Sequence, residues 1–207
     1  MRRQVFHAYD TGTNAAGELR FCPRCGTACV SARAGGRVRP HCPECSYVHY
    51  RNPTTGVAIV VMRDGHALLG QRAATATFGG QWAFPAGFIE FDEDFLTAAR
   101  REAKEETGLD VAVTGILNVT FNYLTKHLHA LVVAVAATPT GGVLRAGDDL
   151  CALRWVSPSG PFPPLAYEAD AALLQVLASG AVPHIPVDTR YATPGFPVDL
   201  PTSSRAP

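Results

Sequence analysis

The stretch that decides the fold is GFIEFDEDFLTAARREAKEETGL, residues 87–109. Within it, residues 95–107 contain neither Pro nor Gly, and Gly108 is well suited to end a helix. Asp92 or Asp94 can cap the start. Small and apolar residues recur at helical spacing and form one packing face. They are Leu96, Ala99, Ala103 and Thr107. The sequence therefore predicts an amphipathic helix over 95–107.

Three glutamates, Glu102, Glu105 and Glu106, share one side of the last two turns of this helix. Like charges at i and i+4 repel by a few tenths of a kcal/mol, and acids near a helix C-terminus oppose its dipole by roughly 0.3–1 kcal/mol each. A divalent cation would reverse both penalties, and clustered carboxylates suit Mg²⁺ or Mn²⁺. The alternative is a solvated acidic face, balanced by Arg100, Arg101 and Lys104.

The same residues fit, without a gap, the pattern G-x5-E-x7-R-E-U-x-E-E-x-G-U, in which U is aliphatic and Ala103 fills the first U position. This is the Nudix box, so the chain resembles the Nudix hydrolases. The resemblance implies an α/β/α sandwich with a mixed sheet. It also implies an enzyme that hydrolyses a diphosphate linkage.

The resemblance further implies roles for individual residues. Glu102, Glu105 and Glu106 hold Mg²⁺ or Mn²⁺, with help from a backbone carbonyl near Ala86 or Gly87. Glycine at position 87 lets the backbone approach the metal closely. An ion pair between Glu93 and Arg101 is expected to fix the loop against the helix.

Two features of the site stay open at this stage. The catalytic base is Asp148 or Asp149, unless both are turn residues. Aromatic side chains could form a wall for the nucleobase, or could simply belong to the core. The candidates are Phe84, Phe121, Tyr123 and Trp82.

Two CxxC pairs separated by 16 residues form the second motif. They comprise Cys22, Cys25, Cys42 and Cys45. This spacing is typical of a zinc ribbon, in which four thiolates close the coordination sphere and the metal is structural. Cys29 and Cys151 remain, and are expected to be small buried hydrophobes.

The ribbon has two interpretations. It can be a folding staple for a small module, with a part in dimer contacts. It can also bind nucleic acid, which Arg33, Arg37 and Arg39 in the intervening loop would support. We favour the staple, because Lys+Arg and Asp+Glu both number 18 and the neutral chain has no general attraction to nucleic acid or to an anionic membrane.

An α+β protein in four segments is predicted. They are a lead-in at 1–20, the zinc ribbon at 21–50, the Nudix domain at 53–182 and a Pro-rich irregular tail at 183–207. Residue patterns predict strands at 56–62, 66–72, 82–88, 111–119, 132–137 and 151–156, a turn at 138–142 and a second helix at 168–178. No apolar run approaches ~18 residues and no signal-peptide core is evident, so a cytoplasmic location is expected.

The segments FCPRCG, CPECSYVHYRNP and WAFPAGFIEFDE resemble two groups of ribbon-bearing Nudix enzymes. One contains the NADH pyrophosphatases, which carry an S-Q-P-W-P-F-P array beyond the box; residues 117–129 (LNVTFNYLTKHLH) lack it. The other contains shorter hydrolases of FAD and ADP-ribose-like compounds, which we favour. The alternatives are an NADH/NAD pyrophosphatase, a non-catalytic nucleotide-binding regulator and a nucleic-acid-binding ribbon protein. The resemblance also implies a small-molecule nucleotide substrate and a homodimer.

Overall fold

The structure is a computed structural model that describes residues 19–125, 128–180 and 185–186, with the backbone alone for 122–125. The chain divides into two compact units. The first comprises residues 1–55 and 120–131, and the second comprises 56–119 and 132–207.

In the first unit, two short strands form a hairpin, β1 (Val30–Ala34) and β2 (Arg37–His41). The turn between them consists of Gly35 and Gly36, both with positive φ. The CxxC pairs lie on either side of this hairpin in sequence.

The main sheet has eight strands. They are β3 (Thr54–Arg63), β4 (His66–Arg72), β5 (Trp82–Ala83), β6 (Ala86–Phe88), β7 (Leu109–Thr125), β8 (Leu128–Gly142), β9 (Leu150–Val156) and β10 (Ile185–Pro186). Two helices accompany them, α1 (Phe95–Thr107) and α2 (Glu168–Ala178). The mixed sheet with two helices confirms the α+β prediction.

The centre of the second unit is β3, which is buried from Gly56 to Val61. Its side chains alternate between two cores, as the pleat of a strand requires. Val57 and Ile59 pack in the cluster that contains α1, and Val60 packs in the cluster that contains α2. The helices therefore lie on opposite faces of the sheet, which is the predicted sandwich.

Several element predictions are wrong in detail. The single strand expected over 82–88 is two short strands, because Pro85 cannot donate to a ladder and its carbonyl instead accepts from Ile59 N–H at 2.7 Å. The turn expected at 138–142 is the end of β8. Gly142 lies directly beside Gly108 and Leu109, so the long β7–β8 hairpin continues through the turn-like sequence.

The prediction of an irregular tail from residue 183 is wrong at Ile185 and Pro186. These two residues pair with Ile116 and Gly115 of β7. The other residues of the tail, like most of the lead-in, lie outside the described ranges. Among the residues described, no helix is long and apolar enough to cross a membrane.

Candidate active site and cysteine centre

Helix α1 begins and ends at strong local signals. The Asp94 carboxylate accepts from Leu96 N–H at 2.7 Å and Thr97 N–H at 2.9 Å, which satisfies two donors at the helix start. Gly108 adopts the left-handed conformation at φ 72° and donates to Lys104 O. The predicted packing face is buried along its whole length. The caps set the ends of the helix, and its buried face sets the direction in which the acidic side chains point.

The structure brings two glutamates of the box together with a third acid from a distant loop. Glu102 and Glu106 are buried, at 7% and 2% exposure, and each offers a carboxylate oxygen within 4.8 Å of the others and of Asp148. Glu105 lies outside this group. Its side chain is half exposed, and its Oε2 accepts from Arg101 at 3.0 Å. We call Glu102, Glu106 and Asp148 the acidic group.

Strand β6 passes closely over these carboxylates. Ala86 N–H donates to Glu106 Oε2 at 2.8 Å. A Cβ at Gly87 would lie 1.9 Å from Glu102 Oε1, which no real contact allows. A side chain at position 87 would displace the Glu102 carboxylate, and glycine avoids this contact.

Arg101 connects the acids to the preceding loop. Its guanidinium contacts Glu93 at 2.5 Å, Glu102 at 2.8 Å and Glu105 at 3.0 Å, and donates to Phe88 O at 3.0 Å. The pair with Glu93 is the one predicted from the sequence. Donation from Arg101 lowers the pKa of Glu93.

Burial raises the pKa of Glu106 to about 8, against the lowering effects of Ala86 N–H and the Arg72 charge. The pKa of Glu102 is also raised, mainly by burial, although donation from Arg101 opposes the shift. Asp148 raises both further through its own charge. Burial makes the ionised forms of both carboxylates unfavourable. A bound cation would compensate for the lost hydration, so the pair is suited to bind one.

A loop after β8 delivers Asp148. In this loop, Arg145 N–H and Gly147 N–H donate to Thr107 O and Glu106 O, the last carbonyls of α1, at 2.9 and 3.1 Å. Val143 N–H donates to the carbonyl of the capping residue, Gly108, at 3.2 Å. Helix ends leave these carbonyls without intrahelical partners, so the loop satisfies them. Asp148 itself has a φ of 48°, a conformation that Asp tolerates better than most residues.

Sequence reasoning missed Arg72, at the end of β4. Its Nε donates to Thr77 O at 2.5 Å, and Nη2 lies 3.9 Å from Asp149. The positive charge lowers the pKa of Glu106. A single arginine at a strand end carries no motif, so only the fold reveals its proximity to the acids.

The aromatic candidates are dispersed. Phe84 and Trp82 are 2% and 8% exposed and belong to the core beneath α2. Phe121 is half-buried, with its ring 5.3 Å from that of His129. The side chain of Tyr123 lies outside the described residues. Phe78, which was not considered from the sequence, is 39% exposed.

The four cysteines of the CxxC pairs converge in the first unit. Cys22 Sγ lies 3.5 Å from Cys45 Sγ, and Cys25 Sγ lies 3.5 Å from Cys42 Sγ and 3.6 Å from Cys45 Sγ. Four sulfurs placed tetrahedrally at ~2.3 Å from Zn²⁺ would be about 3.8 Å apart. The thiolate set and its spacing therefore fit a closed structural zinc site.

The expectation that the other two cysteines are buried is wrong. Cys29 is half-buried, and Cys151 is exposed on β9. Cys151 follows the first residue of the strand, Leu150, whose own side chain points into the core at 5% exposure. Successive side chains of a strand face opposite sides, so Cys151 points outward.

Comparison with known proteins identifies relatives of this chain. A MutT-like protein of Streptomyces ambofaciens is 36% identical over 132 residues, covering 64% of this chain and 81% of the relative. The NAD-capped RNA hydrolase NudC of Vibrio atlanticus (strain LGP32) is 34% identical over 94 residues, but the match spans 45% of this chain and only 34% of that protein. An ADP-ribose pyrophosphatase of Methanocaldococcus jannaschii is 35% identical over 107 residues, 50% of this chain and 61% of that protein.

Among solved structures, a Nudix hydrolase from Nitrosomonas europaea matches with a TM-score of 0.68 and 26% identity, covering 78% of this chain and 91% of that one. A family model described as the NUDIX domain matches residues 52–177. This range includes β3, the box helix, the acidic group and almost all of α2. The chain therefore belongs to the NUDIX domain family and is a Nudix hydrolase.

Proposed function

We propose that this protein is a Mg²⁺- or Mn²⁺-dependent pyrophosphatase. Its substrate is a nucleoside diphosphate linked to another moiety, such as FAD or ADP-ribose, and it releases a nucleoside monophosphate. The observation that carries the proposal is the acidic group, in which two buried glutamates meet Asp148 and Gly87 lets β6 pass close to Glu102.

The cation would be held by Glu102, Glu106 and Asp148, with Glu105 adding a carboxylate from the more exposed side. A backbone carbonyl at Ala86 or Gly87 remains a further candidate ligand. When bound, such a cation polarises phosphate oxygens and lowers the pKa of a water molecule, which is then a nucleophile at neutral pH.

The protein's own residues prepare this site. Ala86 N–H fixes one oxygen of Glu106, which leaves the other oxygen free to bind. Arg101 orients Glu102 and Glu105 and ties both to Glu93. Arg72 places a positive charge near the acids, where a transferred phosphoryl group would develop negative charge.

The proton acceptor for the attacking water is proposed to be Asp149, since Asp148 faces the glutamates. The Asp149 carboxylate is 61% exposed and sits 3.9 Å from Arg72. This exposure leaves it accessible to water and substrate.

The substrate proposal rests on the relatives. The ADP-ribose pyrophosphatase supports a dinucleotide-like diphosphate. The NAD-capped RNA hydrolase supports NADH or NAD as the alternative. The missing S-Q-P-W-P-F-P array between residues 117 and 129 favours the first. A structural zinc ion at the four cysteines, and a homodimer testable by sedimentation velocity, are part of the same proposal.

The test compares Glu106→Gln, Asp148→Asn and Glu105→Gln with Glu90→Gln, an exposed glutamate of the same segment. AMP release from FAD and from ADP-ribose is followed with Mg²⁺ and with Mn²⁺. Loss of a metal ligand should lower kcat by at least about 100-fold for Glu106→Gln and by about 10- to 100-fold for Asp148→Asn. The Glu90→Gln control should remain within about twofold of the wild type.

Turnover by Glu106→Gln at the wild-type rate would refute the metal assignment. Turnover of NADH but not of FAD or ADP-ribose by the wild type would instead select the alternative substrate, and would leave the metal assignment intact.

A further inference from the structure

The neutral net charge of the chain conceals a separation of charge along it. Residues 20–55 carry six arginines and one acidic residue, Glu44. The rest of the chain therefore holds twelve basic and seventeen acidic residues. Even a four-thiolate zinc centre, with a net charge of −2, would leave residues 20–55 positive. A segment that combines this charge with exposed aromatic residues has the composition of a polyanion-binding surface.

The strand pairing of the β1–β2 hairpin indicates which of its two faces is suited to bind a polyanion. Paired residues of an antiparallel ladder share a face, and successive pairs alternate. Arg37 and Arg39 pair with Ala34 and Ala32, so all four lie on one side, together with Val30 and its partner His41. We call these six residues the hairpin face. Arg33 and its partner Val38 lie on the opposite side.

The hairpin face combines charge with a flat aromatic surface. The guanidinium of Arg39 is held by the carbonyl oxygen of Ala34 and stacks 4.9 Å from the ring centroid of Tyr50. Tyr50 is 55% exposed and Val30 is 50% exposed. Arg37 is exposed and, within the described part of the chain, makes no ion pair.

From these observations we propose that the hairpin face, with Tyr50, binds single-stranded nucleic acid. Small side chains at Ala32 and Ala34 leave room for a strand to lie across the hairpin. Arg37 and Arg39 would contact phosphates, and Tyr50 would stack on a base. Exposed aromatics among arginines favour single strands, whose unpaired bases can stack, over duplexes and over lipid headgroups. This inference does not depend on the proposed hydrolysis.

The experiment measures fluorescence anisotropy of a labelled mixed-sequence 12-nucleotide RNA, and of the matching DNA, with the full chain prepared in the presence of zinc. Salt is varied from 50 to 200 mM. Arg37→Glu should weaken binding at least fivefold and reduce the salt slope by about one phosphate contact, roughly 0.7 for a single strand. Tyr50→Ala should weaken it about tenfold, and Tyr50→Phe should leave it nearly unchanged.

Arg33→Glu is the matched control, because it makes the same charge change on the same hairpin but on the other face. It should alter affinity by no more than about twofold. Zinc content and the circular dichroism spectrum report whether each variant is folded. If Arg37→Glu fails to retain zinc, Arg37→Gln replaces it and should lower affinity by at least about twofold.

Equal weakening by Arg33→Glu and Arg37→Glu would overturn the proposal, because net charge alone would then explain binding. Binding to phosphatidylserine vesicles or to duplex as tightly as to single strands would also overturn it, as would binding that does not respond to salt. A preference for RNA over DNA, or the reverse, identifies which single strand the surface takes.

Discussion

Glu106 is a carboxylic acid that the fold buries almost completely. It is 2% exposed, and burial raises its pKa to about 8. A single hydrogen bond from Ala86 N–H and the charge of Arg72 oppose this shift. Such a carboxylate costs stability when ionised, and a bound cation would recover that cost. Its burial is therefore better explained by a site than by packing.

Gly87→Ala tests how tightly β6 lies over the acids. The added Cβ would fall 1.9 Å from Glu102 Oε1, so the carboxylate must move. We expect kcat for FAD or ADP-ribose to fall at least about 100-fold, since displacement of a ligand by 1 Å is enough for such a loss. The control is Gly141→Ala near the end of β8, where φ is not positive and a Cβ would lie no nearer than 3.4 Å to the atoms around it. It should keep its activity, and a Gly87→Ala variant that does so too would contradict the geometry.

Asp170 is a second buried acid, on α2. Its carboxylate accepts from Phe84 N–H at 3.1 Å, and Phe84 lies in the short segment between β5 and β6. Burial raises its pKa to about 7, while the Phe84 hydrogen bond and the Arg72 charge lower it. In the unfolded chain the same group has an ordinary pKa near 3.8.

As the pH rises from 5 to 8, the folded protein therefore loses a proton from Asp170. In the unfolded chain the Asp170 carboxyl group is already ionised at both pH values. The folded state binds more protons, so its stability falls as the pH rises. The contribution of Asp170 is about 2 to 3 kcal/mol across this interval. Urea unfolding at both pH values, without added Mg²⁺ or Mn²⁺, should show a smaller decrease for Asp170→Asn than for the wild type. Identical decreases would show that Asp170 keeps a normal pKa.

At the scale of the element, α1 is set by signals at both of its ends. The Asp94 cap, the absence of Pro and Gly between 95 and 107, and Gly108 after them are all local in sequence. Asp92, the other candidate cap, is exposed and does not accept from the first turn. The structure therefore decides between two residues that the sequence treats alike.

Asp94→Ala should lower the free energy of unfolding by about 1 kcal/mol, because two N–H groups of the first turn lose their acceptor. Asp92→Ala should change it by less than about 0.5 kcal/mol. Chemical denaturation with a fixed m-value measures both. Equal losses in the two variants would show that a general charge effect at the helix start, and not the cap, sets its stability.

These local signals explain what the sequence could predict. Helices over 95–107 and 168–178 and the strand over 66–72 agree with the structure at both ends. The long β7–β8 hairpin could not be predicted, since pairing with a distant partner overrides the turn sequence at 138–142. The sequence indicates Asp148 only as a possible base. Its approach to Glu102 and Glu106 depends on backbone hydrogen bonds, which leave no mark on side-chain type.

At the scale of the whole molecule, the two units are stabilised by different means. The second has two apolar cores, one on each face of β3. The buried members of the apolar core clusters all belong to this second unit, and the side chains of the first unit that are fully or nearly buried include Cys22 and Cys42. Small modules of this kind commonly depend on a metal for their fold.

The full chain should therefore purify with about one equivalent of zinc, and Cys42→Ser should lose it. Cys29→Ser is the matched control, because Cys29 lies in the same unit but outside the four-sulfur cluster. Elemental analysis and release of zinc to a colorimetric chelator give the stoichiometry. Less than about half an equivalent in the wild type, or equal loss in both variants, would count against the site.

The loop from Val143 to Asp148 has two tasks that depend on its length. It closes the end of α1 with three N–H groups and, one residue later, contributes an acid to the group of carboxylates. Inserting or deleting a residue there would shift the reactive centre and expose the helix terminus at once. The length of this short connection therefore links the position of Asp148 to the end of the helix.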